Sequence, residues 1–447
     1  MASPRDILEA RRYNQRRLIT VFASGTSEGQ EYESRTPTGP VIIGVVLTVV
    51  LLIAAIIMGV FSPRLPAGWE SDQIIIVKET GARYYTINGV LRPVTNIISA
   101  RLLAGRSLDP IRVPASLLDG IPRGSGVGLT GVPDDIPGAD HLALREWTAC
   151  ARPVGAPNLW IGEGPPDYTT AEMAVVTDTT DIYLIVDGAS HKVIPPEGIN
   201  LLNVLGLATA TIHPVGTDWL GLFAEGTPFE SLEIPKVATT ASGFPHSWGE
   251  VSIGDVVVVT DQDRYLVSAP GTLVPLTPLA LLLNQIGLET SPKAISATQA
   301  DIGTITVKAS ETVIPQDWPV RLPTALPPTH RPCASITTAQ DPTVAMTVRL
   351  GMVPSATAQD VLGRSIQIPG GSGALVRVSA PGTVGAVRLI TDSGWSFSLG
   401  VNPTETIQLL GLGGVEVMSS PLAWVNLIES SSIELSRTAA WATVATT

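Results

Sequence analysis

The fold is decided by a stretch that reads IIIVKETGARYYTINGVLRPVTNIISARLLAG, residues 74–105. It opens with an apolar β-rich run, and after a polar turn an aromatic residue, Tyr84 or Tyr85, opens a second short strand. A glycine turn follows, and the next strand ends in a Val-Pro-like pair. An amphipathic helix that ends at a glycine completes the stretch. The stretch predicts a hairpin plus a helix, a unit too small to bury its apolar face alone.

The same pattern recurs downstream. Residues 174–206 and 255–287 repeat it around Tyr183 and Tyr265, and a degenerate fourth copy at 386–411 keeps RLITDSGWSFSLG and TETIQLLG. Strand-like runs at 302–307, 343–350 and 375–378 indicate a β-rich central element. Because such units must pack on neighbours or on a central layer, the sequence predicts an α+β fold of hairpin-plus-helix repeats around that element.

One apolar segment stands apart from the repeats: VIIGVVLTVVLLIAAIIMGVF, residues 41–61, whose only polar side chain is Thr48. At about 1.5 Å per residue a helix of this length matches the ~30 Å hydrocarbon core of a bilayer. A buried core helix rarely runs so long without a polar face, and a signal peptide has a shorter apolar core. The segment therefore predicts a single transmembrane helix.

The arginine distribution predicts the orientation of this helix. Residues 1–20 carry five arginines, whereas only Arg64 lies within ten residues on the other side. By the positive-inside rule the N-terminus faces the cytoplasm and residues 62–447 lie outside. These outer residues hold 22 basic and 35 acidic side chains, a net charge of −13. An acidic ectodomain does not predict a nucleic-acid partner.

The two cysteines, Cys150 and Cys333, both follow the apolar segment. In an oxidising compartment two thiols on one ectodomain most often pair, so a disulfide is predicted, with two unpaired buried thiols as the alternative. Trp147 lies three residues before Cys150, and we expect it to pack on the disulfide.

The N-terminus predicts an arginine-rich helix. Ser3-Pro4-Arg5-Asp6 is a typical helix start, and a broken apolar stripe runs to a stop at Ser24-Gly25. Such a helix binds anionic lipid or a cytoplasmic partner, or it is a solvated juxtamembrane helix that only sets topology. The candidate partner-binding residues are Arg11, Arg12, Arg16 and Arg17. Residues 26–40 read as a polar tether.

No motif predicts a catalytic residue, a metal ligand or a cofactor. The P-loop is absent, and G-x-G-x-x-G at 126–131 lacks the strand before it and the helix after it that a dinucleotide site needs. G-x-S-x-G at 25–29 lies in the tether, so it is read as a chance match. The five histidines lack metal-ligand spacing. Whether the fold brings His213, Asp218 and a serine together stays open.

The combination resembles the EccB family of type VII (ESX) secretion systems of mycobacteria and related actinobacteria. The resemblance covers essentially the whole chain. It rests on RRYNQRRLITVF, the single anchor, VKETGARYYTINGVLRPVTNIISARLL, the GLTGVPDDIP loop, Trp147-x-x-Cys150, Arg331-Pro332-Cys333 and PLAWVNLIES…LSRTAAW. A glycine-rich turn at 411–414, in the fourth repeat, departs from the family pattern.

The resemblance implies a structural subunit of the bacterial inner-membrane secretion complex, assembled with the EccC motor ATPase, EccD and EccE. The implied ectodomain is elongated, dimerises or oligomerises in the periplasm, and lies near the mycosin protease. Family members have also been described as ATPases, although this sequence lacks a phosphate-cradle motif. Enzymatic activity is therefore left open. A nucleotide hydrolase and a periplasmic module that binds cell wall or exported substrate are the alternatives.

The predicted domains are a cytoplasmic helix and tether (1–40), the transmembrane helix (41–61), three periplasmic repeats (62–301), the central β-rich element (302–385), and a fourth repeat with the C-terminal segment (386–447).

Overall fold

The computed structural model describes residues 3–25, 38–60, 64–104, 110–261, 263–286, 291–310, 313–341, 344–355, 365–380 and 383–441. The chain divides into two compact units, Met1–Pro66 and Ala67–Thr447. Most of the predicted tether (26–37) and the predicted closing glycines of the first and third repeats, Gly105 and Gly287, lie outside the described residues.

The described residues of the first unit form the helices α1 (Pro4–Ser24) and α2 (Thr38–Val60). The predicted start of α1 is confirmed, because Ser3 Oγ accepts from the Arg5 amide and Asp6 accepts from the Ser3 amide, which forms a capping box. In α2 the hydroxyl of Thr48 donates to the Gly44 carbonyl, so its polar group is satisfied within the helix. Among the described residues, α2 is the one helix long and apolar enough to cross a membrane.

The described residues of the second unit form five β-sheets. Four of them form repeated modules, and the fifth is a central sheet whose strands come from two separate stretches of the chain. This mixed, β-rich architecture confirms the predicted α+β class.

Module 1 and the first part of the central sheet come first in the chain. Module 1 consists of β1 (Ile74–Val77), β2 (Arg83–Ile87), β3 (Val90–Pro93), α3 (Ile97–Ala104) and β4 (Ile111–Val113). The central sheet begins with β5 (Glu146–Cys150), β6 (Asn158–Ile161) and β7 (Thr169–Thr170).

Modules 2 and 3 follow. Module 2 consists of β8 (Met173–Thr177), β9 (Ile182–Val186), β10 (Ala189–Val193), α4 (Leu201–Val204), β11 (Ile212–Pro214), α5 (Thr217–Leu220) and β12 (Ala224–Phe229). Module 3 consists of β13 (Val256–Val258), β14 (Arg264–Ala269), β15 (Thr272–Pro275), α6 (Pro278–Asn284), β16 (Ala294–Ser296), α7 (Gln299–Ile302) and β17 (Thr306–Val307).

The chain then completes the central sheet and ends in module 4. The central strands are β18 (His330–Thr337), β19 (Arg349–Pro354) and β20 (Ile366–Gln367). Module 4 consists of β21 (Gly373–Ala380), β22 (Thr383–Thr391), β23 (Trp395–Ser398), α8 (Pro403–Leu409), β24 (Met418–Pro421), α9 (Leu422–Val425) and β25 (Glu429–Glu434), and α10 (Arg437–Ala440) follows it. Among the described residues, the connections include the 3₁₀ helices Ala115–Leu118, Ala139–His141 and His246–Trp248.

The modules share one plan that is longer than the predicted hairpin plus helix. Three strands form an antiparallel meander, a helix follows, one strand returns parallel to the first, and another lies parallel to the third. In module 2 these parallel pairs are β8 with β11 and β10 with β12. In module 1 the last strand is reduced to the bridges Leu91–Arg123 and Val94–Val127.

Two hairpin turns explain why the sequence pattern predicted hairpins correctly. The turns Asn88-Gly89 and Asp187-Gly188 join β2 to β3 and β9 to β10, and both residues of each turn have positive φ. Two-residue turns of this kind match the right-handed twist of the strands, and Asn, Asp and Gly tolerate the left-handed backbone.

Several predicted strands belong elsewhere. Residues 375–378 lie in β21, the first strand of module 4, so the predicted fourth copy starting at 386 begins within β22. The run 302–307 belongs to module 3. Helix α7 ends at Ile302, and β17 (Thr306–Val307) pairs with β15. Of the described residues 344–350 in the run 343–350, only Arg349 and Leu350 belong to the central strand β19. The proposed domain limits at 301 and 385 stay a prediction.

The central sheet has the strand order β20-β6-β5-β18-β19-β7. Its two middle strands, β5 and β18, are antiparallel, and Cys333 lies directly opposite Cys150. Modules 1 and 4 share one apolar core, which includes Tyr85, Leu102 and Phe397. Modules 2 and 3 share a second, and the central sheet packs against modules 2 and 4 in a third.

Candidate functional site

The four candidate arginines of α1 are all exposed. Within residues 3–25, none of them has a carboxylate at salt-bridge distance. Most large apolar residues of the same helix are exposed too, with Phe22 at 85% and Ile19 at 69%. The helix thus presents both cationic and apolar side chains on its surface.

The helical periodicity separates the four arginines. At 3.6 residues per turn, Arg11 lies within the apolar stripe of Ile7, Leu18 and Phe22, all four positions falling in an arc of about 60°. Arg12 and Arg17 lie on the two flanks of this stripe, each about 110° from its centre, and Arg16 lies nearly opposite, about 150° away. Partner binding by these residues stays a prediction, and Arg11 is the one whose charge is surrounded by apolar side chains.

The disulfide between Cys150 and Cys333 is present, with both residues at most 1% exposed. It joins the two middle strands of the central sheet, which come from distant stretches of the chain. The prediction that Trp147 packs on the disulfide is wrong. Trp147 lies in the core shared with modules 2 and 4, whereas Trp160, Tyr168 and Val353 pack around the two cysteines. Strand side chains alternate, so residues three apart face opposite sides of the sheet.

A feature that the sequence reasoning missed lies in the crossover to the last strand of each module. One apolar side chain anchors each crossover and is at most 4% exposed: Leu118, Trp219, Ile302 and Trp424. Leu118, Trp219 and Trp424 are each followed two residues later by Gly or Asn, whereas Ile302 is followed directly by Gly303. This spacing, shared by three of the four modules, was the available signal, but the flanking strands are too short to show a period.

Trp219 and Trp424 connect modules 2 and 4 to the central sheet. Both rings are fully buried in the core that contains Trp147. The indole N–H of Trp219 donates to the Ala149 carbonyl at 2.8 Å, whereas the indole N–H of Trp424 has no hydrogen-bond partner among the described residues.

The structure does not assemble His213 and Asp218 into a catalytic group. His213 is buried in β11, where burial lowers the pKa of its imidazole and a weaker hydrogen bond to the Leu326 backbone opposes that shift. Asp218 is exposed on α5. The Nε2 atom of His213 has no hydrogen-bond partner within the described part of the chain. This histidine is therefore a neutral core residue.

The G-x-G-x-x-G segment at 126–131 is a loop, as predicted from its flanks. It packs on the start of α3, where Asn96 Nδ2 donates to the Leu129 carbonyl at 2.7 Å and the Leu129 amide donates to Ser99 Oγ at 2.8 Å. Gly128 has φ 131°, and a side chain there would lie 2.4 Å from Thr95 Oγ1. Its glycines thus serve close packing on the protein itself.

The neighbouring acids, Asp134 and Asp135, are ion-paired rather than merely solvated. Arg83 forms a two-point contact with Asp134, and Arg101 lies 3.4 Å from Asp135. These pairs connect the loop to module 1. No cluster of three or more His, Cys, Asp or Glu side chains suited to a metal ion is found among the described residues. The G-x-S-x-G segment, apart from Gly25, lies outside them.

A family model described as "Type VII secretion system ESX-1, transport TM domain B" matches residues 2–446. Among curated proteins, the chain is 26% identical over 292 residues to the ESX-3 secretion system ATPase EccB3 of Mycobacterium tuberculosis H37Rv, covering 58% of this chain and 52% of that protein. It is 26% identical over 279 residues to the ESX-1 secretion system ATPase EccB1 of Mycolicibacterium smegmatis MKD8, covering 58% and 57%. The matched region thus spans little more than half the length of these relatives.

Two solved structures share the fold. A chain of the intact ESX-5 inner membrane complex aligns with a TM-score of 0.67 at 20% identity, covering all of this chain and 96% of that one. The EccB3 dimer from the ESX-3 core complex aligns with a TM-score of 0.66 at 21% identity, covering 83% and 100%.

Proposed function

Because the chain belongs to the family described as type VII secretion system ESX-1, transport TM domain B, we propose that it is a structural subunit of a type VII secretion complex in the bacterial inner membrane. In this proposal α2 anchors the chain and α1 binds partners in the cytoplasm. The unit Ala67–Thr447 is periplasmic and forms homodimers or higher oligomers. The proposed partners are EccC, EccD, EccE and the mycosin protease, with no nucleic acid.

The central sheet carries this proposal. Its strands come from two distant stretches, a buried disulfide joins them, and modules 2 and 4 pack on it through Trp219 and Trp424. Such a construction holds several modules in fixed positions, which suits a scaffold. A disulfide also persists in the periplasm and is rare in the cytoplasm, so it supports the placement of this unit outside.

The chemistry of α1 supports its role in binding. An exposed helix with cationic and apolar side chains fits an anionic, partly apolar surface, which a partner protein or the inner leaflet of the membrane offers. Arg11 is placed best for this role, because a cation within an apolar stripe gains most from a carboxylate or phosphate that becomes buried with it.

Nucleotide hydrolysis is the second candidate, because the curated relatives carry the word ATPase in their names. The glycine loop at 126–131 does not favour it, since the residues of that loop bond with the start of α3.

Affinity purification of the full-length protein from its native membrane tests the scaffold. We expect the charge-reversed Arg12→Glu/Arg16→Glu variant to recover less of the cytoplasm-facing partners, whereas Glu9→Gln, on the same helix, leaves recovery unchanged. If all variants recover every partner equally, α1 does not bind partners as proposed.

A further inference from the structure

Module 2 lacks the first turn of the helix that follows its meander. Helix α4 has four residues, whereas α8 of module 4 has seven. Both helices start after an asparagine cap and end before a left-handed glycine, Gly206 or Gly411. The cap residue of module 4, Asn402, lies nine positions before its glycine, whereas Asn200 lies six before its own. Three helical residues are therefore missing from module 2.

An irregular segment, residues 195–200, takes the place of this turn. Pro195 and Pro196 cannot donate backbone hydrogen bonds, and Gly198 has φ 76°, which a right-handed helix excludes. In modules 1 and 3 the corresponding turn covers the sheet with buried aliphatic side chains, such as Ile98 and Leu279. In module 2 the helix has no such turn, so it does not bury aliphatic side chains of that turn on the sheet.

A groove of about 770 Å³ opens where the turn is missing. Its apolar lining includes Ile182, Ile199, Leu202 and Ile212, none of which is fully buried. Ile182, Ile199 and Leu202 pack against the core on the helix-bearing face of the sheet. The groove is thus the position at which the other modules bury the side chains of a helical turn.

The rim of the groove carries acidic groups. Asp181 forms an ion pair with Lys192 at 2.7 Å, and Glu197, which also lines the groove, is exposed. Asp178, near Asp181, accepts two backbone N–H bonds. The rim therefore has a net negative charge, which favours a cationic ligand next to an apolar one.

We propose that this groove binds a short amphipathic helix of another subunit, which presents one or two aliphatic side chains beside a lysine or arginine. Such a helix supplies the turn that module 2 lacks and pairs its cation with Glu197. The exposed amphipathic helix of this chain, α1, lies across the membrane in the proposed topology, so the occupant belongs to a different protein. The inference concerns module 2 and does not depend on partner binding by α1.

Photo-crosslinking in native membranes tests the proposal. A photoreactive phenylalanine analogue is placed at position 212 of the full-length protein, and at position 404 of module 4, where the helix is complete, as the control. Crosslinked peptides are sequenced, and the yield is measured in the Ile199→Asp and Glu197→Lys backgrounds. The exposed positions Thr404→Asp and Glu405→Lys provide matched control substitutions.

We expect adducts at position 212, but not at 404, with an aliphatic and basic helical segment of another subunit. Ile199→Asp should lower their yield by about tenfold, the effect of losing one buried aliphatic side chain. Ile199→Leu should retain the yield, and thermal melting shows that each variant folds. Adducts only with lipid, with the same chain or with a second copy would overturn the proposal, as would yields that do not change in Ile199→Asp and Glu197→Lys.

Discussion

The indole nitrogen of Trp219 lies 2.8 Å from the carbonyl oxygen of Ala149, so module 2 is hydrogen-bonded to the strand that carries Cys150. Trp424 occupies the equivalent crossover of module 4 but makes no such bond among the described residues. The two modules are therefore attached to the central sheet by similar packing and by different hydrogen bonding.

Trp219→Phe should be more destabilising than Trp424→Phe. Both changes remove ring volume from a buried site, but only the first also removes a hydrogen bond, that of the indole N–H to the Ala149 carbonyl, which contributes about 0.5–1.5 kcal/mol. Chemical denaturation of the two purified variants measures the difference in the free energy of unfolding. Equal losses would show that the Trp219 bond contributes nothing.

The disulfide should be resistant to reduction until the protein unfolds, because both cysteines are buried. In the double variant Cys150→Ala/Cys333→Ala we expect the free energy of unfolding to fall by about 2–5 kcal/mol. Thiol labelling of the native and denatured wild type, with and without reductant, checks access, and denaturation checks stability. Rapid labelling of the native protein after mild reduction would contradict the packing described.

His213 should make the folded protein less stable in mild acid. Burial lowers the pKa of its imidazole below 6.5 in the folded state, so between that value and 6.5 the unfolded chain binds more protons. The stabilisation is complete above pH 6.5 and is lost as the pH falls through the folded pKa. The melting temperatures of wild type and His213→Gln, measured between pH 5 and 7.5, should become more similar as the pH falls. Parallel pH profiles would assign the effect to other groups.

Gly351 should not tolerate a side chain. A Cβ there would lie 2.4 Å from the ring of Tyr168, whose hydroxyl is hydrogen-bonded to Ser335. Gly351→Ala should therefore cost about 1–3 kcal/mol, the usual penalty of overpacking. Gly370→Ala is the matched control, because nothing lies within 4 Å of its added Cβ. A neutral Gly351→Ala in thermal melts would mean that the Tyr168 ring moves freely.

Much of this arrangement was readable from the sequence, where local chemistry determines local structure. The capping residues Ser3 and Asp6 and the turn Asn88-Gly89 act on their immediate neighbours, so their patterns predicted helix and hairpin correctly. The parallel outer strands, such as β4 and β17, are only three and two residues long. They exist because tertiary packing places them beside the meander, and no periodicity marks them.

The sites were harder to predict, because they depend on which elements meet. Trp147 and Cys150 are neighbours in sequence but face opposite sides of β5, whereas Trp160 reaches the disulfide from the adjacent strand. The groove of module 2 follows from a comparison of helix starts, Asn200 against Asn402, which requires the observed caps. The ion pairs of Asp134 and Asp135 likewise depend on how the loop folds back on module 1.

The four arginines of α1 should differ in importance. Arg11→Glu places a carboxylate within the apolar stripe of Ile7, Leu18 and Phe22, whereas Arg17→Glu changes a position outside the stripe, about 110° from its centre. We expect Arg11→Glu to reduce partner recovery from membranes by about tenfold to a hundredfold, the effect of losing one charge-assisted contact of about 1.5–3 kcal/mol, and Arg17→Glu to have little effect. Quantitative mass spectrometry of the purified material gives the comparison. Equal recovery by both would mean that the stripe does not form the contact.

The scaffold itself is tested most directly by the size and activity of the native complex. The full-length protein is purified from its native membrane in mild detergent, and native gel electrophoresis, mass spectrometry and ATP hydrolysis are measured on the same fractions. We predict that it migrates within a large multi-subunit assembly, and that hydrolysis follows a partner with a P-loop. A protein that migrates alone and hydrolyses ATP would contradict the account.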